Sequence, residues 1–211
     1  MVQRRLGQAL DEVPQGPIRI VSMCAGQCRD LIGVLADHHR KGDVTARLVE
    51  LDADLVRDAR AMAEDAGLEL DIVGGDASST SAYAGAVPAN VILACGVFGN
   101  VNDDDIRGTI LELLSLSAPG ATVIWTRHRQ APDLTPTIRA WFGEAGFEEV
   151  AFDTEEGTSF GVGTHRLVGE PRPFQANRRM FTFIGDGSAA RVEASAEPGA
   201  GNPAWDRSSP A

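Results

Sequence analysis

The sequence is short of positive charge, of aromatic side chains and of cysteine, and it has no long apolar run. Lys and Arg number 19 against 30 Asp and Glu, a formal net charge of −11. A field of that sign argues against holding a polyanion through the whole surface, so no nucleic-acid partner is expected unless a local basic patch exists. No stretch approaches the roughly 18–20 apolar residues that span a bilayer, so no membrane partner is expected. The opening "MVQRRLGQAL" lacks the apolar core of a secretory signal. Cysteines number 3, an odd count that suits reduced thiols and a cytoplasmic location better than a disulfide framework. No internal repeat is visible. From Gly185 onward, "GDGSAARVEASAEPGAGNPAWDRSSPA" is small and polar, with Trp205 its one large apolar residue, and residues 185–211 are expected to be a disordered tail.

What is present is enough apolar residue, 43% of 211, to bury the core of one domain over 1–184, with a helical extension at 1–16. Short apolar runs of strand length occur at "IRIVSM" (18–23), "ARLVEL" (46–51), "LELDIVG" (68–74), "NVILAC" (90–95) and "ATVIWT" (121–126). The last two are continuous enough for strands covered on both faces. Helical patterns separate them. Leu55, Ala59, Met62 and Ala66 share a face that stops at Gly67, and Ile106, Ile110, Leu113 and Leu114 follow the acidic start "NDDD". Thr135 and Pro136 read as an N-cap and first helical residue, ahead of Ile138, Trp141, Phe142 and Ala145. This alternation predicts an α/β doubly wound, mostly parallel sheet with right-handed crossovers. "AGFEEVAFDTE" and "GTSFGVGTHRLVG" have no helix between them, so the sheet is expected to end in an antiparallel hairpin. "RRMFTFI" (178–184) reads as a further short strand or an apolar plug.

In such a sheet ligands sit beyond the C-terminal strand ends. The first strand runs into "SMCAGQCRD", where Gly26 permits a close backbone approach or serves simply as a turn. The second ends in "VELDAD". Glu50, 24 residues after Gly26, can accept from both hydroxyls of a ribose, with Asp52 as competitor and Leu51 against an attached purine. The third ends in "VGGDASS", where Asp76 either accepts from an exocyclic amine or caps the next turn, beside the backbone of Ala77. At the fourth, "ACGVFGNVNDDD", Cys95 and Gly96 are expected near the ligand's reactive end, with Phe98 and Asn100 bordering a second substrate.

Taken in order, these segments resemble the class I S-adenosyl-L-methionine-dependent methyltransferases. "VSMCAGQCRDL" corresponds to their first motif, "LVELDADLVRDAR" to the acidic motif, "VGGDAS" to the adenine motif and "NVILACGVFGNV" to the fourth strand. "LSLSAPGATVIW" is similar to their Leu-x-Pro-Gly-Gly lead into strand five, and "WFGEAGFEEVAF" to their turn into strand six. The resemblance runs from about Ile18 to about Leu167. It implies a seven-stranded Rossmann-like sheet of order 3-2-1-4-5-7-6 and S-adenosyl-L-methionine as cofactor, met by Cys24, Ala25, Gly26, Glu50, Leu51, Asp76, Ala77, Cys95 and Gly96. Only Gly26 keeps the family's glycines: Ser22 stands at the acid, and Cys24 and Cys28 at the first and third glycines. Arg29 and Asp30 are candidates to replace the lost contacts to the amino-acid end.

The resemblance implies a transferase acting on a small molecule, since the fourth strand lacks the Asn/Asp-Pro-Pro-aromatic motif of methyltransferases acting on amino groups of DNA bases. His128, after the fifth strand, is the candidate general base, with Arg127 and Arg129 as partners for a substrate carboxylate. His165 is expected on the hairpin, facing solvent, and His38 and His39 to be structural. No metal is expected, although Cys24, Cys28 and Cys95 leave a thiolate site conceivable. Two other readings stay open: a nicotinamide-dependent oxidoreductase, disfavoured by the missing Gly-x-Gly-x-x-Gly, and a non-catalytic scaffold or S-adenosylmethionine-binding protein with an eroded first motif.

Overall fold

The computed structural model describes residues 1–184, so the tail expected over 185–211 lies outside the described residues. The elements in chain order are α1 (Val2–Glu12), β1 (Ile18–Met23), α2 (Arg29–Leu35), β2 (Val44–Glu50), α3 (Ala53–Asp65), β3 (Asp71–Gly74), β4 (Ala89–Ala94), α4 (Asp103–Leu116), β5 (Ser117–His128), α5 (Thr135–Glu144), β6 (Phe147–Thr154) and β7 (Phe160–Leu167). They form a 7-stranded sheet of order β3-β2-β1-β4-β5-β7-β6. Strands β1 to β5 pair in parallel, and β7 runs antiparallel to both β5 and β6.

The near-continuous apolar runs end up where both faces are covered. In β1 only Arg19 is exposed, and β4 is buried at five of six positions. Alternate residues feed two cores. Val21, Met23, Val49 and Trp125 meet α4 and α5 on one face, while Ile20, Leu48 and Ile124 meet α1, α2 and α3 on the other. Helix starts are set by short polar side chains. Asp52 Oδ1 accepts the Asp54 and Leu55 N–H groups at 2.9 and 3.2 Å, and Asn102 Oδ1 accepts that of Asp105 at 2.8 Å.

Three expectations are corrected and one open alternative is resolved. Thr135 does not cap α5 but begins it, and Asp133 Oδ1 accepts both its N–H (2.9 Å) and its hydroxyl (2.7 Å). β3 starts at Asp71 rather than Leu68, because Leu68 and Leu70 turn into the core beneath α3. Residues 178–184 make isolated bridges, Ser79 to Arg179 and Val101 to Phe183, while Met180 and Phe181 are buried, so the segment is a plug rather than a strand. His165 does not face solvent; it is fully buried on β7.

α1 is docked rather than loose. Its buried residues Leu6, Ala9 and Leu10 enter the second core, and Arg5 forks onto Asp153 of β6 at 2.5 and 2.7 Å. The turn after it converges on the buried Arg40, whose guanidinium donates to the carbonyls of Leu10, Val13, Pro14 and Gly16 and to Asp43.

Candidate functional site

The C-terminal ends of β1, β2 and β3 are tied into one unit by backbone bonds. Ala25 N–H donates to Val49 O at 3.0 Å, and Gly75 N–H to Glu50 O at 2.9 Å. Between β1 and α2 the chain takes left-handed backbone at alternate residues: Cys24 at φ 50°, Gly26 at 55° and Cys28 at 58°. The two cysteines therefore keep a backbone suited to glycine, which for an L-residue costs about 1–2 kcal/mol each. Their side chains part, Cys24 packing against the α4/α5 core and Cys28 into the core beneath α1 to α3. A Cβ built on Gly26 meets nothing within 4 Å, so the space in front of the turn is open.

A cavity of about 220 Å³ lies at this turn. Ser22, Cys24, Ala25, Cys28 and Cys95 line it, with Arg29 and Asp30 at its charged side and Val2 of α1 closing over it. Burial pushes all three thiols up to about 12, with Glu50 adding to the shift at Cys24 and Cys28 and Asp30 to that at Cys95. That shift favours the neutral thiol at physiological pH. Among the described residues their sulfurs do not converge within metal-binding distance. The trio that does is Asp11, His38 and His39. Arg40 N–H donates to His38 Nδ1 at 3.2 Å, and His38 Nε2 lies 3.4 Å from Asp11 Oδ1. With Nδ1 already engaged, one ring nitrogen of His38 is left to face Asp11.

Glu50 is held close to Gly26. Its Oε2 accepts the Gly26 N–H at 2.8 Å, and its Oε1 accepts those of Leu51 and Asp52 at 2.9 and 3.0 Å. A carboxylate offers about four acceptor positions. One, on Oε2, is left for a sugar hydroxyl, so the two-hydroxyl grip expected of Glu50 requires a backbone donor to give way. Leu51 beside it is 41% exposed.

Asp76 keeps more of its capacity. Its Oδ1 accepts the Ser78 N–H at 2.9 Å and its Oδ2 faces Arg179 at 3.4 Å, leaving an acceptor position on each oxygen. Ala77 is buried behind it and its carbonyl accepts the Tyr83 hydroxyl at 2.8 Å. Gly96 is anchored by its N–H to Thr126 Oγ1 at 2.9 Å, and like Gly26 it faces open space.

The predicted acceptor residues fall differently. Phe98 does not border an opening: it is fully buried, with ring centroids 5.8 Å from Trp125 and 6.3 Å from Phe142. The Asn100 amide donates back to Gly96 O at 2.8 Å and fixes its own loop. Arg127 donates to the Phe98 carbonyl and Arg129 pairs with Asp133, so both guanidinium groups brace loops. His128 lies beside Gly99, with its Nδ1 buried and unpartnered among the described residues. Neither His128 nor Arg127 lines the cavity, and nor do Gly26, Glu50, Leu51, Asp76, Ala77 and Gly96, which lie along the strand ends outside it. Three contributors, Val2, Thr126 and Arg179, escaped the sequence reading because each reaches the site from a distant element.

No protein-family model matches the chain, and a comparison with curated proteins found no match. Solved structures are similar in fold. An O-methyltransferase family protein from Burkholderia thailandensis superposes with a TM-score of 0.59 at 14% identity, covering 78% of this chain and 56% of that one. The magnesium protoporphyrin IX methyltransferase of Synechocystis, solved with S-adenosylmethionine, gives 0.60 at 11%, covering 78% and 77%. An RNA methyltransferase from Salinibacter ruber, solved with S-adenosyl-L-homocysteine, gives 0.53 at 18%, covering 84% and 96%. The chain spans 56%, 66% and 53% of three of the larger structures it resembles. The strand order, the antiparallel β7 and these superpositions agree: the chain has the Rossmann-like fold of the class I S-adenosylmethionine-dependent methyltransferases.

Proposed function

We propose that the protein is an S-adenosyl-L-methionine-dependent methyltransferase acting on a small molecule in the cytoplasm. The observation that carries this reading is the bond from the Gly26 N–H to the Glu50 carboxylate, which joins the ends of β1 and β2 where this fold takes its ligand. It lies next to a cavity lined by Cys24, Ala25 and Arg29 of the same turn. The donor set fits the cofactor. Glu50 has one acceptor position for the ribose, Asp76 has two for the purine amine, and Arg29 and Asp30 offer opposite charges to an amino-acid end. The open faces of Gly26 and Gly96 leave room for the body of the ligand between them.

Bound there, S-adenosylmethionine supplies a methyl group on a positively charged sulfur, activated for in-line displacement. The protein then chiefly orients and desolvates the acceptor, an effect worth up to about 7–11 kcal/mol. His128 is the proposed base for an acceptor that loses a proton. That role requires the loop at Gly99 to uncover its Nδ1, which is buried, unpartnered among the described residues and outside the cavity. A small acceptor is favoured because a net charge of −11 gives no general attraction for a polyanion. The three free cysteines suit a reducing compartment.

Isothermal titration separates the classes. S-adenosylhomocysteine should bind one to one and NAD should not; binding of NAD alone, or of neither ligand, contradicts the proposal. One observation favours a second reading, a protein that binds the cofactor without transferring its methyl group: Glu50 already serves three backbone donors. That reading requires S-adenosylhomocysteine to bind while no acceptor is methylated.

A further inference from the structure

The segment after β7 returns across the molecule and fastens two loops of the site. Ser78 O accepts the Met180 N–H at 2.8 Å, Asp105 Oδ2 accepts that of Thr182 at 2.7 Å, and Asn100 O accepts that of Ile184 at 2.8 Å. Thr80 and Arg178 exchange bonds of 2.9 and 3.0 Å. Met180 and Phe181 anchor the strap in the core. Its path is thus set by backbone bonds and buried apolar side chains, independently of the Arg179 side chain, which is 57% exposed.

That side chain does something else. Arg179 Nη1 donates to the hydroxyl of the buried Ser78 at 3.0 Å, and Nη2 faces Asp76 Oδ2 at 3.4 Å. Ser78 N–H holds the other oxygen, Oδ1, at 2.9 Å. The carboxylate therefore has a neighbour at each oxygen, a hydrogen bond from its own loop at Oδ1 and, at ion-pair distance from Oδ2, a cation from a segment 103 positions later in the chain (179 − 76). An Asp free at one oxygen rotates about its terminal torsion, which is broad. The cation opposite Oδ2 biases that torsion, and each oxygen still has an acceptor position to offer.

We propose that Arg179 is a positioning residue that presets Asp76 to accept a hydrogen bond from the exocyclic amine of the bound purine. The inference rests on the cofactor reading above and adds to it a determinant of purine selectivity located outside the strand-end motifs. Arg179 acts through Asp76 and touches no reacting atom.

The test compares two ligands on the full chain by titration calorimetry: S-adenosylhomocysteine and its analogue with hydrogen in place of the purine 6-amino group. Wild type should prefer the amino form. Arg179→Ala should weaken binding of the amino form by roughly two- to fivefold, the range of one solvent-exposed ion pair, and leave the analogue unchanged. Arg179→Lys, which keeps a cation opposite Oδ2, should recover part of the loss. A role limited to holding the strap would weaken both ligands equally, and that result overturns the inference while leaving the cofactor reading intact. So does a wild type that binds both ligands alike, or an alanine variant with no loss. Failure of wild type to bind either ligand overturns both.

Discussion

Cys24 occupies left-handed backbone at φ 50°, and what its side chain can be follows from that. Glycine adopts this region freely, whereas a β-branched residue adopts it poorly. Cys24→Gly removes the backbone cost and loses a partly buried thiol, so stability should change by no more than about 1 kcal/mol. Cys24→Val should lose about 2 kcal/mol; urea denaturation of the pair measures the contrast. His165 carries the second residue-scale prediction. Its ring stacks on Phe142 at 4.3 Å, and its Nδ1 accepts the Trp125 indole N–H at 3.1 Å. Burial pushes its pKa down to about 4, against the opposing pull of Glu149. Since the folded ring resists protonation, the unfolded chain binds more protons below its ordinary value near 6.5. Stability from this group is complete above about pH 6.5 and falls as pH drops to about 4, by at most about 1.4 kcal/mol per pH unit. Glu149 adds a loss at lower pH, because the Arg139 bond holds its carboxyl below the usual range and protonation then removes that stabilisation. Denaturation midpoints between pH 4 and 7 should trace the His165 slope, and His165→Phe should flatten it while weakening the fold at all pH by orphaning the indole N–H.

At the scale of elements, two contacts decide whether helix and hairpin dock. Arg40 closes the C-terminal turn of α1 through four main-chain carbonyls and Asp43, from a side chain 4% exposed. Arg40→Met should cost about 3 kcal/mol or more and raise amide exchange in α1 beyond that in the central strands. Because Val2 closes over the cavity, the same variant should loosen the site. In the hairpin, a Cβ on Gly163 would stand 2.1 Å from the Trp125 ring, which is fully buried and cannot retreat. Gly163→Ala should therefore destabilise by about 3 kcal/mol, again read by denaturation. The strands β1, β4 and β5 and helix α4 were legible in the sequence because their apolar runs match their burial, and the hairpin because no helical pattern separates its two segments. Helix α3 was found but its face was read one residue off, since Val56, Ala59 and Ala63 are buried while Leu55, Met62 and Ala66 are half-buried. His165 and Phe98 were not. The polar neighbours of His165 on β7 disguise a strand position packed against α5, and Phe98 sits in a turn that folds its ring inward to complete the cluster around Trp125 and Phe142. Periodicity says nothing about a turn's direction.

For the whole molecule, the candidate site was legible as far as strand ends could carry it. Gly26, Glu50 and Asp76 lie on loops that the order of the sheet brings side by side, so their placement together, though not a role for them, follows from the strand order. Contributions from α1 and from the strap after β7 depend on tertiary return paths that no local pattern encodes. The first motif's erosion also looks different in three dimensions. Cys24 and Cys28 reproduce the glycine backbone and send their sulfurs to opposite cores, so they line the cavity without filling it. On the proposed reading the cofactor runs from that cavity across Gly26 to Glu50 and Asp76. A crystal structure of the full chain with S-adenosylhomocysteine tests this most directly. Density with the amino-acid end at Gly26 and Arg29, the ribose at Glu50 and the purine amine at Asp76 is the predicted result. A ligand seated elsewhere, or a site empty at saturating ligand, would contradict it.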